Sequence, residues 1–366
     1  MEITQEKINV KKYFFTAALV VFAWIPVQLY FGWTPKVWAQ HAMDKTMMPY
    51  LVNAIPVIFS AALSLFFLFG SLKLKNILLC VIPYIILFCY LLFLPFPPKE
   101  NNLGRNVTQA ISNAYYFAFV LLWFFVLFSK SNYNFKKLNY KAFVFKCGEI
   151  IVWSTIIIIG VYIISVLFAA LFDVIDIIMA HIFLYDVFIF FGITASPFIS
   201  LLISDYDARI KLSPVIANVF LPLILVFLVV FGIMSIFSEN KPYDNREIFI
   251  IYNVMTVIVI CALLFSSING VKNKFINICA YILPFVTLIL NLITISAVLY
   301  RLNEYGVSAN KIVLLGTNII MTGHLTFMIY FKIRYNKLEK NLVYLPVYFI
   351  WAFFVVFLFP LIFRAV

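Results

Sequence analysis

Charge is scarce in this chain: 366 residues carry 27 Lys+Arg and 15 Asp+Glu, 11 % in all. A soluble domain carries roughly 25 %, and so little polar surface cannot cover the apolar side chains present here. Disordered, collagenous and nucleic-acid-binding classes fall by the same arithmetic. Glycine is nearly as rare, with 11 residues and no Gly-x-x-x-Gly, so helix packing must rest on Phe, Leu and Ile with scattered Ala and Ser. The five cysteines, at 80, 89, 147, 261 and 279, form no Cys-x-x-Cys pair. They suit neither a disulfide framework nor a zinc site and read as small buried apolar side chains. The three histidines are too scattered for a metal set, and no cofactor is implied. A Gly-x-x-x-x-Gly-Lys-Ser/Thr phosphate loop is missing, and no segment between apolar runs exceeds about 21 residues. That excludes an extramembrane ATPase, kinase or hydrolase domain, and with it a self-contained primary pump.

What the chain has is apolar bulk. Hydrophobic residues make up 65 %, aromatics 19 % with 42 Phe, and the mean hydropathy is +1.05. A helix crossing the ~30 Å hydrocarbon core needs about 20 mostly apolar residues. Such runs lie at 13–32, 50–70, 76–95, 110–129, 150–172, 177–203, 214–236, 248–267, 275–300, 312–331 and 343–363. They are continuous rather than alternating, which disfavours an outer-membrane barrel and leaves helices as the structure that satisfies every backbone group in lipid. The expected fold is an all-α integral membrane protein: one polytopic bundle of about 11 transmembrane helices over 1–366, without a soluble domain. Asp173 and Asp176 break the long apolar stretch 150–203, which places a tight helical hairpin there. Lys7, Lys11 and Lys12 precede the first run, but its apolar core is too long for a signal peptide and no small-x-small site follows; an uncleaved first helix is expected.

Counting Lys and Arg in alternate loops gives 18 on the side of the N-terminus and 9 on the other. The positive-inside rule then puts the N-terminus in the cytoplasm and the C-terminus outside. The basic face suits the anionic headgroups of membrane lipids, the one class of partner implied, at about 1 kcal/mol per well-placed Lys or Arg; nucleic acid is not needed to explain it. Its densest stretch, Ser129 to Lys146, reads either as an amphipathic surface helix or as a solvated loop.

Polar groups at membrane depth are the candidates for function. Asp186 is the one acid read as clearly inside a span, a coupling site for a proton or cation, or else a carboxyl bonded to a neighbouring helix. His181 and His324 are the other titratable groups at depth. Asn53, Asn218, Asn253, Asn291 and Asn318 fall in five different spans, where amides act as interhelical glue or line a polar pathway. Pro26, Pro56, Pro83, Pro197, Pro222 and Pro284 kink their helices.

Between two runs the chain reads Tyr300-Arg301-Leu302-Asn303-Glu304-Tyr305-Gly306-Val307-Ser308-Ala309-Asn310-Lys311. This resembles the signature of a bacterial multi-pass membrane family catalogued as domain of unknown function 4153: Arg, three variable residues, Tyr-Gly, a branched residue, Thr or Ser, two variable residues and a base. Ser308 stands for the usual Thr and Lys311 for the usual Arg. The resemblance implies a protein of the bacterial inner (cytoplasmic) membrane and no particular activity. Read directly, Gly306 suits a positive φ that ends a helix, Ser308 a hydroxyl cap on the next one, and Arg301 with Glu304 an i,i+3 pair. Tyr300 and Tyr305 suit the interfacial aromatic belt.

Spans, kinked helices and a buried acid together favour a secondary transporter or flippase-like permease. A non-catalytic scaffold or sensor subunit is the alternative. A membrane-embedded transferase acting on an envelope lipid, with His324 or Asp186 as base, lacks a recognisable catalytic pair, so the sequence leans away from an enzyme.

Overall fold

The computed structural model of the protein describes residues 48–68, 74–95, 104–134, 138–174, 196–204, 212–237, 241–269, 274–335 and 338–365. Among these no strand occurs; the regular elements are helical. They are α1 (Met48–Leu68), α2 (Leu74–Phe93), α3 (Arg105–Lys130), α4 (Tyr140–Val174), a helical stretch over 196–204, α5 (Leu212–Phe237), α6 (Arg246–Asn269), α7 (Lys274–Tyr305) and α8 (Ala309–Tyr335). The last apolar run is divided into a 3₁₀ segment (Leu338–Tyr344), α9 (Leu345–Phe353), a π segment (Phe354–Leu358) and α10 (Phe359–Ala365).

Seven helical runs among the described residues are long and apolar enough to cross a membrane: Lys75–Phe93, Arg105–Lys130, Tyr140–Gly160, Arg246–Ser266, Lys274–Tyr305, Ala309–Tyr335 and Asn341–Arg364. Shorter apolar helices, Pro56–Leu68 and Leu221–Ile233, mark the runs expected at 50–70 and 214–236. The runs expected at 13–32 and over most of 177–203 lie outside the described residues, as do Asp176, His181 and Asp186. Whole helix faces expose large apolar side chains, among them Ile85, Ile86, Phe227, Ile289 and Leu292. In water such faces would aggregate; against lipid they cost nothing.

Two expectations change. The stretch Ser129 to Lys146 is neither a surface helix nor one solvated loop. Helix α3 runs to Lys130, a turn follows with Asn132 and Tyr133 at positive φ, and α4 begins at Tyr140. Asn139 starts α4 by accepting the Ala142 N–H on its Oδ1 at 3.0 Å, an N-cap signal hidden among the lysines. The earlier start also brings a second acid into a candidate span: Glu149, 1 % exposed, lies in the apolar helix Tyr140–Gly160, so Asp186 is not alone.

The chain divides into two compact units. One comprises Met1–Pro97, Leu122–Leu138 and Lys146–Leu212, the other Pro98–Leu121, Asn139–Phe145 and Ser213–Val366. In the first, α1 and α2 are tied by the Tyr84 hydroxyl, which lies 2.7 Å from Ser64 Oγ and donates to the Ser60 carbonyl at 3.1 Å. A polar seam joins α4 to 196–204: Lys146 Nζ donates to Ser204 Oγ at 2.8 Å, and the Ser154 and Ser200 hydroxyls meet at 3.0 Å.

In the second unit α7 packs along both α6 and α8. Its buried positions Ala280, Leu283, Thr287, Leu290, Asn291, Thr294, Ala297 and Val298 recur every three or four residues, one stripe of a helix. Ala and Thr on that stripe keep the side chains between neighbouring helices small, as lipid-embedded packing favours.

Candidate functional site

The middle of this second unit holds a polar network. Asn291 lies near the midpoint of α7, and Asn318 and Thr322 one turn apart near the midpoint of α8. Asn291 Nδ2 donates to the Asn318 backbone carbonyl at 3.0 Å and to Thr322 Oγ1 at 2.8 Å. Thr322 Oγ1 donates in turn to the Asn318 carbonyl at 3.0 Å. Asn318 Nδ2 reaches Asn253 Oδ1 of α6 at 2.9 Å and its own helix at the Leu314 carbonyl, 2.8 Å. Asn253 Nδ2 donates to the Phe249 carbonyl at 2.8 Å. Three helices are thus joined by amides that sequence reasoning had placed in three separate spans.

The network is incomplete. Asn291 and Asn318 are both 0 % exposed, and the Oδ1 atom of each has no hydrogen-bond partner. A carbonyl oxygen left without a donor in a low-dielectric interior costs about 1–3 kcal/mol. The neutral amides and hydroxyls hold no proton to transfer; what they offer is hydrogen bonds, or oxygen ligands for a cation.

His324 is not part of that set. It lies on another face of α8, against the last span, where its ring stacks on Tyr344 with centroids 4.8 Å apart and meets Tyr348 edge-on at 5.5 Å. Its Nδ1 pairs with the Tyr348 hydroxyl at 3.0 Å, while Nε2 has no partner of hydrogen-bonding geometry. On this face Trp351 Nε1 donates to Thr317 Oγ1 at 3.0 Å. Two glycines make the approach possible. A Cβ on Gly316 would strike the Trp351 ring, and one on Gly323 would strike the Tyr344 hydroxyl. Sequence reasoning passed over both because it looked for the four-residue glycine spacing, whereas these stand one heptad apart and each receives an aromatic ring rather than a helix backbone.

The turn at 300–311 is a clamp on the same unit. Gly306 has φ +71°, the helix-ending conformation expected of it. Arg301 does not pair with Glu304. Its Nε donates to the Tyr243 carbonyl at 2.9 Å and its Nη2 to the Pro242 carbonyl at 3.0 Å, with the guanidinium 4.7 Å above the Phe249 ring. Lys311 Nζ donates to the carbonyls of Arg301 and Gly306 at 2.9 and 2.6 Å, neutralising the C-terminal end of α7. The Ser308 carbonyl accepts the first bond of α8, from Ile312. The free N–H groups of Ala309 and Asn310, however, are taken by Asn106 Oδ1 (3.4 Å) and Gln109 Oε1 (3.2 Å) of α3 rather than by the Ser308 hydroxyl. Tyr300 and Tyr305 are exposed, Tyr300 packing edge-on against Tyr243 at 5.7 Å. No local signal pairs Asn106 with Ala309, 203 residues away.

All five cysteines are free. Cys80 and Cys279 are buried as expected, but Cys89 and Cys261 lie on exposed faces. Among the described residues no group of three or more His, Cys, Asp or Glu is placed to hold a metal ion. The side chains of Asn53 and Asn218 lie outside the described residues. No family model, no curated protein and no solved structure matches the chain.

Proposed function

We propose that this is a bacterial inner-membrane protein of about 11 spans, N-terminus in the cytoplasm, that works as a secondary transporter or flippase-like permease, and that its polar path passes the Asn253–Asn291–Asn318–Thr322 network. One observation carries the reading: two fully buried amide oxygens without partners at the middle of two long apolar helices. Unpaired polar atoms are costly at that depth and persist where something intermittently occupies them. The divided last span, with 3₁₀ and π segments beside α8, supports it, because broken helices supply binding groups in transporters. Glu149 and Asp186 are the acids offered for coupling. The kinship suggested by residues 300–311 stays part of this proposal and adds the bacterial setting alone.

Water access tests the reading without a known substrate. In a variant with all five cysteines replaced by serine, Thr322→Cys is exposed to a charged, membrane-impermeant thiosulfonate reagent in sealed vesicles of either orientation. A polar path predicts modification from one side at least. If the thiol reacts only after unfolding in SDS, the network is sealed, and the scaffold reading replaces this one.

A further inference from the structure

The asparagine network has used up its hydrogens and kept its oxygens. An amide nitrogen carries two hydrogens. Asn291 gives both away, to the Asn318 carbonyl and to Thr322 Oγ1. Asn318 gives both away, to the Leu314 carbonyl and to Asn253 Oδ1. The orientation of each amide is fixed, because each nitrogen faces a backbone carbonyl, where the amide oxygen would meet another acceptor. The orphan atoms, Asn291 Oδ1 and Asn318 Oδ1, are therefore oxygens by necessity, and both residues are 0 % exposed. The hydroxyls follow the same rule. Thr287 and Thr294, one turn to either side of Asn291 on its buried stripe, donate to the Leu283 and Leu290 carbonyls at 2.7 and 3.0 Å. Each has spent its one hydrogen and retains lone pairs.

We propose that this network binds a monovalent alkali cation, Na⁺ foremost, through the Asn291 and Asn318 amide oxygens. An anion is itself an acceptor and would meet oxygen at both orphan atoms. A cation meets the ligands it needs, since carbonyl oxygens can replace an alkali ion's hydration shell. Neutral amide and hydroxyl oxygens suit a single charge, whereas Ca²⁺ and Mg²⁺ sites are built around carboxylates. The two asparagines lie near the midpoints of α7 and α8, the depth at which transporters hold coupling ions. Binding requires that water reach the network; the ion's use in coupling rests on the transport reading above.

The test is melting of the whole protein in detergent in NaCl, in KCl and in N-methylglucamine chloride of equal ionic strength. With Na⁺ about ten times above its Kd, linkage should raise the melting point by about 3 °C over N-methylglucamine. Asn291→Ala and Asn318→Ala should melt lower in every salt and lose the dependence on Na⁺, which a purely structural role would leave intact. If neither variant folds, the Thr322→Cys protein decides: Na⁺ should slow its modification by up to about tenfold relative to N-methylglucamine. Identical melting of the wild type in NaCl and N-methylglucamine chloride, or an undiminished Na⁺ response in Asn291→Ala, overturns the cation site. A thiol modified equally fast in both salts also overturns it while leaving the polar path standing. A thiol that reacts only after unfolding removes the path and the cation site together.

Discussion

Asn291 of α7 holds the backbone of α8 rather than a side chain alone: its amide donates to the Asn318 carbonyl at 3.0 Å, a group that Thr322 already bonds from within the helix. One amide side chain therefore grips α8 where a hydroxyl has turned inward. That geometry sets how the two helices respond to substitution.

Asn291→Ala removes both donations and should destabilise the folded protein by about 1 kcal/mol, within the range found for interhelical hydrogen bonds in membranes. Thr322→Val should cost less, because the Asn318 carbonyl keeps the Asn291 amide. The double variant should lose less than the sum, since the direct Asn291–Thr322 hydrogen bond is broken by either single change and so enters the sum twice. Thermal melting of the four proteins in one detergent checks this, and strict additivity would contradict it.

Gly323→Ala places a methyl against the Tyr344 hydroxyl. Overpacking of this kind costs about 1–3 kcal/mol. Tyr344→Phe removes the atom that the methyl meets, so the double variant Gly323→Ala/Tyr344→Phe should melt above Gly323→Ala alone. A double variant no better than the single would show that the clash is relieved elsewhere.

At the turn, Gly306→Val forces a β-branched residue to φ +71°, at a cost of about 1–3 kcal/mol. Arg301→Ala should cost a comparable amount, because two charge-assisted bonds to adjacent carbonyls and a stacked ring are lost together. Arg301→Lys should not restore it, since a single ammonium cannot span both carbonyls as the planar fork does. Expression and melting of the three variants decide whether the motif is structural. Loss of function in Arg301→Ala with unchanged melting would make it a binding site instead.

Orientation is checked by alkaline-phosphatase fusions. Active reporters are expected after Ser308 and after Val366, and an inactive one after Gly270. An inactive fusion at Val366 beside an active one at Ser308 would place the divided run 341–364 on one side of the membrane instead of across it.

Several features follow from the chain alone. With 65 % hydrophobic residues in unbroken runs, helices in lipid are the arrangement that pairs the backbone, so composition decides class and approximate helix positions without knowledge of any contact. Gly306 is similarly local, because a positive φ is a property of one residue and its turn. The tertiary structure decided whatever depends on which faces meet. Asn291 and Asn318 stand 27 residues apart and Asn253 a further 65 from Asn318, and an amide reads identically as glue or pathway until its partners are known. Arg301 chose carbonyls 58 and 59 residues upstream over the acid three residues on, since partly buried carbonyls at a turn offer more to a planar fork than an exposed carboxylate does. Glu149 and Lys332 look like ordinary interfacial charges in the sequence. Only packing shows them buried, because burial is set by the neighbouring helices and not by the residue itself.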